Sequence, residues 1–198
     1  MRHKKSIIFS SLILLVSIYL FVSMTYAADS QESTTPSNAT VSKNVAFSMS
    51  TNLSTGIQFG SVDMNTNNNN ATGNYDGGPG EAGAEGIVNA SYYITVDTSS
   101  NVNVDVCIKD DGHLDTQASD AITNGNYTWN DNSTSNSTED ETDSFAMSTD
   151  YVRLNVTNIG GGARTYIRLW LDVPNLQPAG VYNNTVYLKG VETGLTCG

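Results

Sequence analysis

After a nearly unbroken apolar stretch from Ile7 to Val22, the apolar residues of this chain recur at every second position, in short runs separated by polar tracts. A two-residue period sends alternate side chains to opposite faces of an extended segment, so each run predicts a half-buried strand. Val45, Phe47 and Met49 form the first run; Gly56-Ile57-Gln58-Phe59-Gly60 begins a second, continuing toward Val62 and Met64. Val88, Ala90, Tyr92, Ile94 and Val96 then share one face, as do Val102, Val104, Val106 and Ile108, and Thr98-Ser99-Ser100-Asn101 between them predicts an antiparallel hairpin. A second hairpin is expected where Val152, Leu154 and Val156 are followed by Gly160-Gly161-Gly162 and then by Ile167, Leu169, Leu171 and Val173. Beyond Pro174 and Pro178, Tyr182, Val186 and Leu188 supply one face of a final strand. No segment after residue 27 carries an apolar stripe at helical spacing. Seven or eight short strands therefore predict an all-β fold, an antiparallel β-sandwich with long polar loops, with a closed barrel as the alternative.

The polar tracts divide the chain. Residues 28–43 are rich in Ser and Thr and read as an N-terminal arm, leaving 44–198 as the β domain. Residues 65–86, with Asn67 to Asn70 and many glycines, read as a surface loop. Within them Gly78, Gly80 and Gly83 satisfy G-x-G-x-x-G, but no strand precedes and no helix follows, so the pyrophosphate-binding mechanism has no support. Residues 110–144 form a second long polar region, interrupted by a short strand around Tyr127 and Trp129.

The start of the chain bears on location. Arg2, Lys4 and Lys5 precede the apolar run, and Thr25-Tyr26-Ala27 places tolerated residues where a signal peptidase reads, predicting a signal peptide at 1–27. An uncleaved anchor is the alternative; after cleavage no transmembrane segment is expected. The formal charge is −11, and the three basic residues of the leader make the remainder more acidic still. Such a chain repels nucleic acid and anionic membrane surfaces. Export would place Cys107 and Cys197 in a compartment where disulfides persist, and the two are expected to pair with each other, an intermolecular bond through Cys197 being the alternative. Alternation sets Cys107 opposite the apolar row of its own strand.

Candidate chemistry is sparse. Nine Asn-x-Ser/Thr acceptors occur, at Asn38, Asn52, Asn70, Asn89, Asn126, Asn132, Asn136, Asn155 and Asn183, against roughly five expected from composition alone. They are the glycosylation candidates in a host with the machinery. No catalytic residue is assigned: His3 leaves with the leader, His113 stands alone in an acidic loop, no G-x-S-x-G elbow exists, and a paired cysteine is not a nucleophile. The loop acids lie among Ser, Asn and Gly, where nothing apolar would separate their pKa values for acid–base work. No metal site is assigned, although Asp110, Asp111 and Asp115, or Asp131 through Glu141, offer oxygen enough for a weak calcium site. Tyr93, Tyr166 and Trp170 fall opposite the aliphatic rows of their strands and are expected to face solvent or a neighbouring subunit.

Two segments carry a resemblance. Thr55-Gly-Ile-Gln-Phe-Gly-Ser-Val-Asp63 is similar to the first-strand pattern of spore coat protein U-like domains, and Pro178-Ala-Gly-Val-Tyr-Asn-Asn-Thr-Val-Tyr-Leu188 resembles their closing strand. The resemblance implies an immunoglobulin-like sandwich of the sort used in fibre subunits assembled by strand exchange, including TasA-like and archaeal surface filament proteins. The expected function is that of a non-catalytic, extracellular cell-surface structural protein, a filament or adhesion subunit whose arm, up to Met49, adds as a strand to a neighbour. Its partners would be further copies or other surface proteins. The alternative is a monomeric module that binds carbohydrate or a glycoprotein.

Overall fold

The computed structural model describes residues 38–74, 89–136 and 141–198. The leader, the arm to residue 37, Gly78, Gly80, Gly83, Val88, Glu139 and Asp140 lie outside the described residues. The chain divides after Val41, and every strand among the described residues belongs to the unit Ser42–Gly198.

Eleven strands occur among the described residues, and all their pairings are antiparallel. In chain order they are β1 (Phe47–Met49), β2 (Thr66–Asn70), β3 (Tyr93–Val96), β4 (Val104–Asp110), β5 (Leu114–Asp115), β6 (Ala121–Ile122), β7 (Tyr127–Asn132), β8 (Phe145–Ala146), β9 (Val152–Arg153), β10 (Arg164–Val173) and β11 (Val186–Glu192). The largest sheet runs β1-β3-β10-β7-β8, with β2 also on β10; a second runs β11-β4-β9, and β5 and β6 form a two-stranded finger. The fold is all-β. Both larger sheets feed one core, in which Ile94 and Val96 of β3 and Ile167, Leu169 and Leu171 of β10 join Val104, Val106 and Ile108 of β4.

The alternating rows thus become strands, but their partners differ from the sequence expectation. β3 and β4 do not form a hairpin: β3 pairs with β1 and β10, whereas β4 pairs with β11 and β9. The second expected hairpin is also absent, because β9 joins β4 while β10 joins β3, β7 and β2. In each case the connecting turn carries the chain from one sheet to the other. Both apolar rows still enter the same core, so periodicity alone does not distinguish a crossing from a hairpin.

Three local readings are corrected. Residues 56–64 form no strand; Gly56 and Gly60 take φ values of 113° and 69°, open to glycine, and the bent segment still packs Ile57, Phe59 and Val62 against the core. It follows a single helical turn, α1 (Thr51–Ser54), capped by Ser50, whose Oγ accepts from the Leu53 N–H. The Asn-rich tract is not wholly a surface loop, since Thr66–Asn70 is strand β2, and Asn69, Asn70 and Asn74 are buried. Asn side chains make this feasible because each supplies both a donor and an acceptor. Asn69 Nδ2 donates to the Leu171 carbonyl at 2.7 Å, and Asn74 clamps Leu169, accepting its N–H at 2.8 Å and donating to its carbonyl at 2.7 Å. Asn68, at φ 58°, lies within a bulge and donates its N–H to Asp172 Oδ1. Finally, the polar region 110–144 holds β5 and β6 besides the strand expected around Tyr127 and Trp129, which is β7 and lies in the interior of its sheet, between β10 and β8.

Cys107 and Cys197 are joined, with Cα atoms 5.9 Å apart, and lie with Val191 and Tyr151 in a small cluster away from the main core. The bond fastens the last residues of the chain to β4. Because 90 residues separate the partners, loop-closure entropy gives the crosslink about 4–5 kcal/mol. Replacing both cysteines by serine is expected to lower the unfolding free energy by that amount in urea titrations; a loss below about 1 kcal/mol would show that the crosslink constrains little.

Candidate functional site

The site that geometry singles out is the seam where the edge strand of one sheet meets the edge strand of the other. Among the described residues β1 pairs only with β3, through Phe47↔Val96, Ser48↔Thr95 and Met49↔Ile94, and its other edge has no strand beside it. β11 is likewise an edge, bound to β4 over seven residue pairs. Alternation in Val45-Ala46-Phe47 turns Val45 and Phe47 toward β11. They rest on Gly190, where an added Cβ would lie 2.8 Å from Phe47 Cδ1 and 3.2 Å from Val45 Cγ1. A side chain at position 190 would therefore push the arm away.

Polar contacts hold the start of β1. The Asn44 N–H donates to Asn101 Oδ1 at 2.7 Å, Asn44 Nδ2 donates to the Ser99 carbonyl, and the Asn44 carbonyl accepts from Ser100 Oγ. Lys43 Nζ reaches Glu192 at 2.7 Å, an exposed pair worth little. Below Met49 opens a cavity of about 860 Å³, walled by Leu53, Ile57, Phe59, Leu171, Val186 and Leu188 and rimmed by Asp63, Gln177 and Asn183. Its outer lip carries Met49, Met64 and Val181, at 47 %, 60 % and 76 % exposure, so apolar surface continues from the cavity to solvent.

Three buried carboxylates brace the frame. Asp105 accepts from the N–H groups of Asn158 and Gly194 and from Thr193 Oγ1, with Arg153 at 3.5 Å. Burial opposes its charge, yet those donors and Arg153 outweigh burial and hold it below the usual carboxylate range. Asp131 accepts from the N–H groups of Asn155 and Val156 and from Thr165 Oγ1. Asp110 is pushed upward by burial and then by the charge of Asp111, although Asn124 Nδ2 donates to both of its oxygens. Burial also drives the Tyr127 phenol far up, helped by Asp110. Sequence alone places Asp110 and Asp131 in polar loops with no apolar surroundings; both, like Asp105, are instead buried. Asp131 is enclosed by protein donors, and among the described residues no group of three or more His, Cys, Asp or Glu is arranged to hold a metal ion.

Of the acceptor asparagines, Asn38, Asn52, Asn89, Asn136, Asn155 and Asn183 are exposed and Asn126 and Asn132 half-buried. Asn70 is the exception: it is buried in β2, where its Oδ1 accepts from Asn74, so the folded chain offers no room for a sugar there. Trp170 does not face solvent but is buried, in the middle of a sheet rather than at its margin. Tyr93 and Tyr166 are half-buried and meet in a tilted contact, their ring centroids 5.5 Å apart and their planes at 56°, with Arg164 4.5 Å over Tyr93. His113 is exposed and contacts Asn124.

Gly190 and Asn74 escaped the sequence reading. The signal for Gly190 was a glycine inside an otherwise regular strand, which often marks a close approach of another chain segment. No protein-family model, curated protein or solved structure matches the chain. Among the described residues no helix is long and apolar enough to cross a membrane.

Gly190→Ala is expected to loosen the arm while the core stays folded. Overpacking of this kind costs about 1–3 kcal/mol, so the amides of Phe47 to Met49 should exchange with solvent roughly tenfold faster or more while those of β10 stay protected. Unchanged protection of β1 would mean that the contact with Gly190 does not hold the arm.

Proposed function

We propose that this is a non-catalytic structural protein of the cell surface, exported through its signal peptide, whose two sheets pack as an immunoglobulin-like sandwich and which assembles by exchange of β1 between copies. One observation carries the reading: β1 is held by a three-pair edge ladder and by Phe47 on Gly190, and it lies at the junction with the polar arm. A second copy presents the same β3 edge and the same glycine, so exchange replaces every contact with an identical one. Edge-strand addition of this type draws its affinity from main-chain hydrogen bonds and its register from alternate side chains. The core supports it too, because Phe47 only packs against its margin and the buried cluster contains no β1 residue. The resemblance of Pro178–Leu188 to the closing strand of spore coat protein U-like domains favours the same reading, whereas Thr55–Asp63, which resembles their first strand, is not a strand here.

A second reading has an observation of its own. On the face of β11 away from the core, Tyr187 is 42 % exposed, and Lys109 Nζ lies 5.0 Å from the Tyr151 ring and 5.3 Å from that of Tyr187. Aromatic rings flanked by donors form a platform for a sugar ring, which suits a monomeric carbohydrate- or glycoprotein-binding module.

Deleting residues 28–49 is expected to abolish polymers seen by electron microscopy and light scattering while leaving a folded, monomeric body. Polymers that survive the deletion would refute strand exchange. A monomeric full-length protein that binds glycans, and loses that binding on Tyr187→Ala, would favour the second reading.

A further inference from the structure

The turn that leads into β7 contains the Asn124-Gly125 pair, and its surroundings are those of a reacting amide. Asn124 Nδ2 lies 2.8 and 2.7 Å from the two oxygens of buried Asp110. A carboxylate accepts and does not donate, so this contact fixes the amide orientation and turns Oδ1 the other way. There Oδ1 meets His113 Nδ1 at 2.6 Å. Oδ1 is a carbonyl oxygen and only accepts, so this contact is a hydrogen bond when His113 carries its proton on Nδ1; in the other tautomer the same nitrogen accepts from the Asn124 N–H, 3.3 Å away. On the other side stands Gly125, exposed, where an added Cβ would meet nothing within 4 Å. Its N–H belongs to the first turn of a short 3-10 segment (Asn124–Asn126), whose leading N–H groups have no acceptor within the segment.

We propose that Asn124 is a self-modification site at which the fold promotes attack of the Gly125 backbone nitrogen on Asn124 Cγ, giving a succinimide and then aspartate or isoaspartate. The Gly125 N–Cγ bond forms and the Cγ–Nδ2 bond breaks. His113 donates to Oδ1, where negative charge develops, in the manner of an oxyanion donor. Gly125 gives its proton to water, and Asp110, facing the departing nitrogen with both oxygens, first takes a proton from water and then passes it to that nitrogen, so that Nδ2 leaves as ammonia. Water then opens either imide carbonyl. Glycine keeps the attacking nitrogen unobstructed. The product sets a new carboxylate against that of Asp110, and the isoaspartate form also lengthens the backbone where β7 begins, loosening an interior strand from its finger.

The experiment compares the conversion of Asn124 in the full-length, disulfide-intact protein at neutral pH with that in the same protein unfolded in urea, by peptide mapping and isoaspartate detection. Asn126 and Asn184 serve as internal references. Groups that move protons contribute about 10²–10⁴-fold, so after the restraint of the fold is allowed for, the native protein should convert roughly tenfold faster than the unfolded one. His113→Ala, at an exposed position, should remove that advantage, and Gly125→Ala, which fits the native backbone, should stop conversion in both states. Native conversion no faster than unfolded, or an undiminished rate in His113→Ala, would overturn the proposal.

Discussion

The backbone of β10 passes through the centre of the larger sheet and is buried without a break from Ile167 to Leu171, where each N–H and C=O group needs a partner. On one side β7 serves six consecutive residues, from Tyr166 to Leu171. On the other side no single strand suffices: β3 covers Arg164 to Tyr166, and β2 begins again at Trp170. The gap between them is closed by pieces of different origin. The Tyr92 carbonyl accepts the Ile167 N–H, the Ala71 N–H donates to the Leu169 carbonyl, and the Asn74 side chain bonds both the N–H and the carbonyl of Leu169. An amide side chain takes the place of a peptide group.

This closure decides which edges remain. Among the described residues, the strands of the larger sheet paired on one side only are β1, β8 and β2, and those of the smaller sheet are β11 and β9. β8 and β9 are two residues long, too short to template another chain. β1 and β11 face a common seam and are joined there by Val45 and Phe47 on Gly190. Saturation at the centre and openness at the seam are two results of one pattern. It is the seam, together with the apolar cavity beside it, that gives the assembly reading its physical content.

Much of the fold was legible where alternation was clean. The rows Tyr92-Ile94-Val96, Val104-Val106-Ile108 and Ile167-Leu169-Leu171 are all core, and Cys107 does face away from its own apolar row. Partners were not legible, because a row of alternating residues specifies which face is buried and not which strand lies beside it. The Asn-rich tract was misread for another reason. Its burial depends on hydrogen bonds to Leu169 and Leu171, about a hundred residues away, and no local signal in Asn67 to Asn74 reports them. The buried acids were hidden in the same way: Asp131 has its oxygens taken by Asn155, Val156 and Thr165, all beyond the polar tract in which it sits. Of the candidate site, the alternation of Val45, Phe47 and Met49 could be read directly, while the significance of Gly190 required knowing what rests on it.

Amide hydrogen exchange in Asn74→Ala tests the central claim most directly, because it removes the side chain that bonds both backbone groups of Leu169, at the cost of one further hydrogen bond, to Asn70 of β2. Orphaning a buried donor or acceptor costs about 1–3 kcal/mol, so the Leu169 amide should lose roughly 10- to 100-fold of its protection, with β2 loosening alongside it and the β7 ladder holding longer. A Leu169 amide as protected as in the parent chain would contradict the account.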